Sequence, residues 1–221
     1  MEKYKVDYRE SSPFKGITIL FDYLEEGLDH AQQNNIKDVC VRRDINDNKK
    51  KCVDFSFLKN RRFIETFHWL VPLSPKSDIE GLYCLSNLKN LRCGFNVIDL
   101  SNFSKLEILN IGYHPKVTGW ENLNSLKRLV IGGVESEDLS FLSQTDNLEF
   151  LRIIRGTFTS IKGLEKCNRL KTLFIQSCNS LVHVKETVEQ MKSIENFLLE
   201  KCKNVDLRGI EQIGLKNISV I

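Results

Sequence analysis

The phrase Leu-x-x-Leu-x-Ile returns along this chain at an almost constant interval. Its clearest copies are Leu106/Leu109/Ile111, Leu126/Leu129/Ile131, Leu148/Leu151/Ile153 and Leu170/Leu173/Ile175, whose starts lie 20, 22 and 22 residues apart. Looser copies continue both ways: Ile36/Val39/Val41, Ile64/Phe67/Trp69, Leu88/Leu91/Cys93, Ile194/Phe197/Leu199 and Leu215/Ile218/Val220. A unit of that length has room for one short strand and a return, and it cannot bury its apolar side alone. Stacked copies share one continuous core, so the expected architecture is a solenoid in which each copy packs on its neighbours.

A second pattern fixes the register. The residue after each first apolar position reads Lys37, Glu65, Lys89, Glu107, Lys127, Glu149, Lys171, Glu195 and Lys216, alternating in sign without exception. Stacked strands lie roughly 4.8 Å apart, so each lysine is expected between glutamates. Opposite charges directly across strands are mildly favourable and like charges unfavourable. A slip of one repeat would set like charges face to face. The ladder is therefore read as a register device on a solvated edge rather than as a recognition stripe.

Residues 1–35 do not follow the repeat. Phe21, Leu24 and Leu28 have helical spacing, which predicts a helix over about 19–33 that caps the first apolar layer. The expected organisation is thus an N-terminal helical cap over 1–35 and a solenoid of about nine repeats over 36–221, forming one domain. Between the strand phrases lies a second apolar phrase, as in Val53/Phe55/Phe57/Leu58, Ile98/Leu100/Phe103, Leu139/Phe141/Leu142, Ile161/Leu164 and Val205/Leu207/Ile210. These are too short for long helices and suit 3-10 turns, whereas Val184–Met191 has the length of a true helix. Asp44–Lys51, with its Asn-Asp-Asn and three lysines, reads as an exposed loop.

The repeats resemble the short, roughly 22-residue class of leucine-rich repeats. The resemblance implies an α/β fold: a right-handed solenoid with a parallel β-sheet lining its concave face and short helical or 3-10 turns on the convex face. Such proteins work by presenting the concave surface to a protein partner. A small solenoid rich in Lys, Asn and Ile is also similar to the immunity proteins encoded beside bacterial toxins, including those of contact-dependent growth inhibition systems. That resemblance implies a protein that binds one cognate toxin domain, a nuclease among the candidates, and blocks it sterically. The alternative is a leucine-rich repeat effector or scaffold that regulates a signalling enzyme.

Alternation within each strand identifies the residues expected on the concave face. They are Asp38, Arg42 and Arg43; Thr66 and His68; Asn90, Arg92 and Phe95; Ile108, Asn110 and Tyr113; Arg128 and Val130; Phe150, Arg152, Ile154 and Arg155; Thr172, Phe174 and Gln176; Asn196, Leu198, Glu200 and Lys201. Six arginines and one lysine stand against one aspartate and one glutamate, a balance of +5 in a chain whose net charge is +3. Basic character is concentrated here, and aromatics lie among the arginines, a mixture enriched in interface hot spots. The expected partner-binding set is Arg92, Phe95, Asn110, Tyr113, Arg128, Phe150, Arg152, Arg155 and Phe174, with room left by Gly94, Gly112, Gly132 and Gly133. An alternative acidic edge is Glu135, Glu137 and Asp138, extended by Asp99 and Glu121.

No catalytic, metal or cofactor set emerges. His30, His68, His114 and His183 are scattered, and no Cys, Ser or carboxylate is expected at the repeat position that would complete a nucleophilic pair with His68 or His114. The seven cysteines include no Cys-x-x-Cys and are read as reduced, mostly buried thiols. The N-terminus lacks the apolar run of a signal peptide and no stretch has the length of a membrane span. The chain is accordingly expected to be cytoplasmic, non-enzymatic and monomeric when free, with no cofactor and no membrane partner. Nucleic acid is disfavoured, because the modest total charge does not suit a polyanion.

Overall fold

The computed structural model describes every residue except Met1, Ile45 and Asn48, and of Glu211 and Gln212 it describes the backbone alone. Part of the loop expected over Asp44–Lys51 therefore lies outside the described residues. The chain forms two compact units, one ending at Phe95 and the other Asn96–Ile221.

In the first unit, β1 (Tyr4–Asp7) and β2 (Gly16–Leu20) make an antiparallel hairpin. β2, β3 (Asp38–Arg42), β4 (Thr66–Trp69) and β5 (Asn90–Cys93) then run parallel in that order. Ile17, Val39, Phe67 and Leu91 align across these strands as one buried column, and Ile19, Val41 and Trp69 as a second. Helix α1 (Leu24–Gln33) follows a 3-10 turn at Phe21–Tyr23. The helix expected over 19–33 is thus real but begins later. Ile17 and Ile19 alternate with Thr18 and enter the core columns, so Gly16–Leu20 is a strand of the sheet. α1 buries Gly27, Leu28 and Ala31. A Cβ at Gly27 would stand 2.6 Å from the Ile19 side chain, so the close approach of helix and strand requires glycine. Arg61 ties the helix down: its guanidinium donates to Glu25 and Asp29 at 3.1 and 2.8 Å and to Gln32 at 3.3 Å.

In the second unit, the two-residue strands β6 (Ile98–Asp99) and β8 (Val117–Thr118) pair with each other. The main sheet is parallel throughout, in the order β7 (Ile108–Gly112), β9 (Arg128–Val134), β10 (Phe150–Gly156), β11 (Thr172–Gln176), β12 (Asn196–Glu200) and β13 (Asn217–Val220). Leu109, Leu129, Leu151 and Leu173 stack in one column and each is fully buried. Truncating one of them to alanine would cost about 2–5 kcal/mol, as for other enclosed leucines. The second apolar phrase forms 3-10 turns at Leu100–Asn102, Ser140–Leu142, Leu164–Lys166 and Ile210–Ile213, and helix α2 (Lys185–Gln190) replaces one of them.

The returns are built from repeated small devices. Asp99 and Asp138 each accept a hydrogen bond from the backbone N–H two residues on, at Ser101 and Ser140, and in the first unit Asp54 and Asp78 do the same for Ser56 and Glu80. Such carboxylates satisfy donors that a short turn leaves free. Gly163 sits at φ +101°, and a Cβ there would lie 2.5 Å from the Ser140 backbone of the preceding repeat, so these two turns approach this closely only over a glycine.

The charge ladder forms as expected. Lys37 and Lys89 both reach Glu65 at 2.7 Å, Lys127 reaches Glu107 at 2.7 Å, Lys171 reaches Glu149 at 3.6 Å and Lys216 reaches Glu195 at 3.0 Å. The backbone explains why this position is rigid. The carbonyl of Lys127, for example, accepts from both Glu149 and Phe150, and the same double acceptance recurs at Lys37, Glu65, Glu107, Glu149 and Lys171. All seven cysteines are free thiols. Among the described residues, no helix is long and apolar enough to cross a membrane.

Candidate functional site: the outward sheet faces

In each strand, two or three residues alternate with the core columns and face away from them. In the second unit one row reads Ile108, Arg128, Phe150, Thr172, Asn196 and Asn217 across β7 to β13, and the next reads Asn110, Val130, Arg152, Phe174, Leu198 and Ser219. The guanidinium of Arg128 lies over the Phe150 ring, 3.7 Å from its centroid, and that of Arg152 over the Phe174 ring at 4.8 Å. Each stack joins direct cross-strand neighbours, and cation–ring contact of this kind is worth about 0.5–1 kcal/mol at exposed sites. Arg152 also donates to Gln176 at 2.7 Å, and Gln176 donates to Glu200 at 2.9 Å. The Arg152 Nε is buried without a hydrogen-bond partner.

Beside these stacks the face is bare. A Cβ added at Gly112 or Gly133 would meet nothing within 4 Å, and at Gly132 only the Ile154 carbonyl at 3.5 Å. The strip ends at a repeated left-handed position, occupied by Gly133, Arg155, Ser177 and Lys201, at φ +69°, +62°, +57° and +54°. Holding non-glycine residues there costs roughly 1–2 kcal/mol each. The turn projects Arg155 and Lys201 into solvent.

Two residues of the expected set differ in placement. Phe95, expected on the face, is buried at 4% exposure, with its ring edge-on to Phe55 at 5.6 Å. The aromatic cluster of the first unit claims it. Tyr113 is half-buried against Phe141, centroids 5.4 Å apart, so its ring belongs with the turn at Ser140–Leu142. On the alternative acidic edge, Asp138 spends one carboxylate oxygen on the Ser140 N–H, as Asp99 does on Ser101. Glu135 and Glu137 are exposed. Asn110 is half-buried in register with Val130. In the first unit, Arg92 is exposed.

The first unit's corresponding row holds what the sequence reading passed over. Thr18, Cys40, His68 and Arg92 are successive cross-strand partners on β2 to β5. The expectation that no cysteine stands opposite His68 is therefore incorrect: Cys40, absent from the expected concave set, lies between the core residues Val39 and Val41 and points to the opposite side from them. His68 faces Asn90 Oδ1 at 3.3 Å, and the Phe14 ring covers it with centroids 5.0 Å apart. Burial pushes the Cys40 thiol up to about 11 and holds the His68 imidazole below its usual value, against the opposing effect of the Asn90 hydrogen bond. Both groups are therefore neutral near pH 7, the state of an enclosed thiol rather than of a thiolate–imidazolium pair. Among the described residues, no group of three or more His, Cys, Asp or Glu side chains could hold a metal ion.

No protein-family model matches the chain. Internalin C2 from Listeria monocytogenes superposes with a TM-score of 0.59 at 15% identity, covering 89% of this chain and 84% of that one. A second Listeria internalin, inlF, gives 0.52 at 17%, covering 80% and 59%. The fold is a leucine-rich repeat solenoid. Two curated Arabidopsis thaliana proteins are similar in sequence. Disease resistance protein RPP5 is 25% identical over 155 residues, 70% of this chain, and SUPPRESSOR OF npr1-1, CONSTITUTIVE 1 is 26% identical over 112 residues, 48% of this chain. The matched segments are only 9% and 8% of those proteins' lengths.

Proposed function

We propose that the chain is a non-enzymatic protein-binding module, and that it binds and sterically neutralises a cognate bacterial toxin domain. The observation that carries the binding function is the outward face of the second unit. Arg128 and Arg152 are held against Phe150 and Phe174 beside a strip whose glycines leave open space. A preformed face of this kind spends little ordering entropy on association, so a few anchors suffice for tight binding. Neutralisation needs no chemistry from the chain, only coverage of an active site or substrate groove. The binding residues in this reading are Arg128, Phe150, Arg152, Arg155 and Phe174, with Asn110 and Arg92 as further polar contacts. The module is a monomer when free, acts in the cytoplasm, and uses residues 1–35 to close the first apolar layer of the repeat array.

Co-expression tests the toxin reading. Cells making a toxin domain encoded beside this chain's gene should survive when the chain is supplied and die when it is not. Failure to rescue removes that reading. A second reading is an effector or scaffold that regulates a signalling enzyme; the similarity to short segments of two Arabidopsis thaliana proteins, one of them disease resistance protein RPP5, does not conflict with it. Retained binding to a signalling enzyme, without rescue from any neighbouring toxin, would favour it.

A further inference from the structure

Two sets of cations on this molecule meet opposite fates. The ladder lysines Lys127, Lys171 and Lys216 each have a glutamate of the chain within 3.6 Å. The face arginines do not. Among the described residues neither Arg128 nor Arg155 has a carboxylate within ion-pair distance, and Arg152 reaches Glu200 only through Gln176. Yet Arg128 and Arg152 are not loose, since the guanidinium of each lies over a phenylalanine ring. A guanidinium packed on a ring keeps its N–H donors at its edge for two-point binding of a carboxylate; Arg128 is exposed and offers that edge, whereas Arg152 has its Nε buried and one N–H on Gln176. The chain thus holds Arg128 in place without supplying a carboxylate for it, while Arg152 is answered by the Gln176 amide.

Resting on the protein-binding reading above, we propose that the partner segment is acidic. A carboxylate side chain of the partner takes the edge of Arg128, with the positive charge of Arg152 beside it, and an adjacent apolar side chain seats on the glycine strip beside Ile154. Two features favour a carboxylate-bearing protein over a phosphate chain. The same face exposes apolar surface at Ile108, 38% accessible, which a protein covers and a nucleic-acid backbone does not. Glu135 and Glu137 stand exposed on the loop leaving β9, where they would repel a long polyanion.

A random displayed peptide library provides the probe. It is panned on the wild-type chain and on the triple reversal Arg128→Glu, Arg152→Glu, Arg155→Glu. Wild-type chain should enrich peptides with aspartate or glutamate next to an apolar residue, and the reversal should bind them at least about tenfold more weakly. Since the reversal could unfold a half-buried Arg152, the pair Arg128→Gln, Arg155→Gln provides a second variant, with thermal melting as the check on folding. Enrichment without acidic residues, no enrichment over bare matrix, or undiminished binding to folded variants would overturn the proposal. So would displacement of the peptides by homopolymeric RNA at physiological salt. Loss of binding only on changing Glu135, Glu137 and Asp138 would move the interface to that edge. Rescue from a toxin without acidic enrichment would sink this inference alone, and acidic enrichment without rescue would sink the toxin reading alone.

Discussion

The row Thr18, Cys40, His68, Arg92 in the first unit and the row Asn110, Val130, Arg152, Phe174 in the second occupy equivalent positions of the repeat. They are nevertheless used in opposite ways. In the first unit a residue from outside the repeat, Phe14, lies over His68, and the thiol beside it is 4% exposed. In the second, the phenylalanines come from the strands themselves and hold arginines against their rings. The repeat fixes only which residues point outward. What those residues do depends on whether another segment covers them, and covered groups are driven to neutrality while open ones keep their charge.

The largest effect that could break this contrast is on Cys40. Phe14→Ala should uncover His68, open the row to its cross-strand neighbour Cys40 and raise the thiol's reaction rate with a small disulfide reagent on the order of tenfold, because access limits an enclosed, protonated thiol. The exposed Cys52 serves as internal reference, and mass spectrometry of the labelled peptides reports both. If Cys40 of the wild-type chain already reacts as fast as Cys52, the first face is open and the contrast fails.

A smaller effect sharpens the other side. Arg128→Ala and Phe150→Ala, singly and together, should show a coupling of about 0.5–1 kcal/mol in thermal unfolding if the stack is formed in solution. Zero coupling would mean that Arg128 is an ordinary solvated cation. Such an arginine would have no fixed edge to offer a partner.

The pH dependence separates the two kinds of environment. His68 is held below its usual value of 6.5 by burial. Below pH 6.5 the unfolded chain binds a proton that the folded chain resists, so stability should fall as pH drops through that range and level off once the folded value is passed. His68→Gln should flatten this arm. Glu65 behaves oppositely. Hydrogen bonds from Lys37 and Lys89 hold its carboxyl down at about 2 against an ordinary 4.5. Its contribution is complete above pH 4.5 and lost as pH falls toward 2, and Glu65→Gln should remove only that lower arm. Melting temperature measured against pH for the three proteins tests both signs.

Much of this was legible in the sequence, for a definite reason. A column such as Leu109, Leu129, Leu151 and Leu173 writes the same requirement into every repeat, and the alternating Lys/Glu position checks the register independently. Residues bound by no repeat were harder to read. Gly16–Leu20 belongs to no repeat phrase, so the helix expected over 19–33 takes in Ile19 and Leu20 of this strand. Cys40 lies between the core residues Val39 and Val41, and Phe14, whose ring lies against its neighbour His68, sits in a loop without periodicity. The same holds for Phe95 and Tyr113. Each is an aromatic just past a strand, where alternation ends and the nearest ring cluster decides the side chain's direction. The pairing of Arg128 with Phe150 required only the correct register, but the reading took the two as separate surface residues.

The smallest expected effect concerns the left-handed column and the ladder beside it. Arg155 is held at φ +62° while its counterpart in the preceding repeat is Gly133. Arg155→Gly relieves the strain but gives the unfolded chain more freedom, so the net change should be a gain of no more than about 0.5–1 kcal/mol. Lys127→Ala removes one exposed ion pair with Glu107 and should cost about 0–1 kcal/mol. Neither side chain is needed for the other's geometry, so the two changes should add. Their effects on a partner should differ, however. Arg155→Gly should weaken capture of an acidic peptide, whereas Lys127→Ala should leave it unchanged, because the Lys127 charge is already answered within the chain. If Lys127→Ala weakened capture as much as Arg155→Gly, the paired ladder would be part of the binding surface. The distinction between answered and unanswered cations would then lose its force.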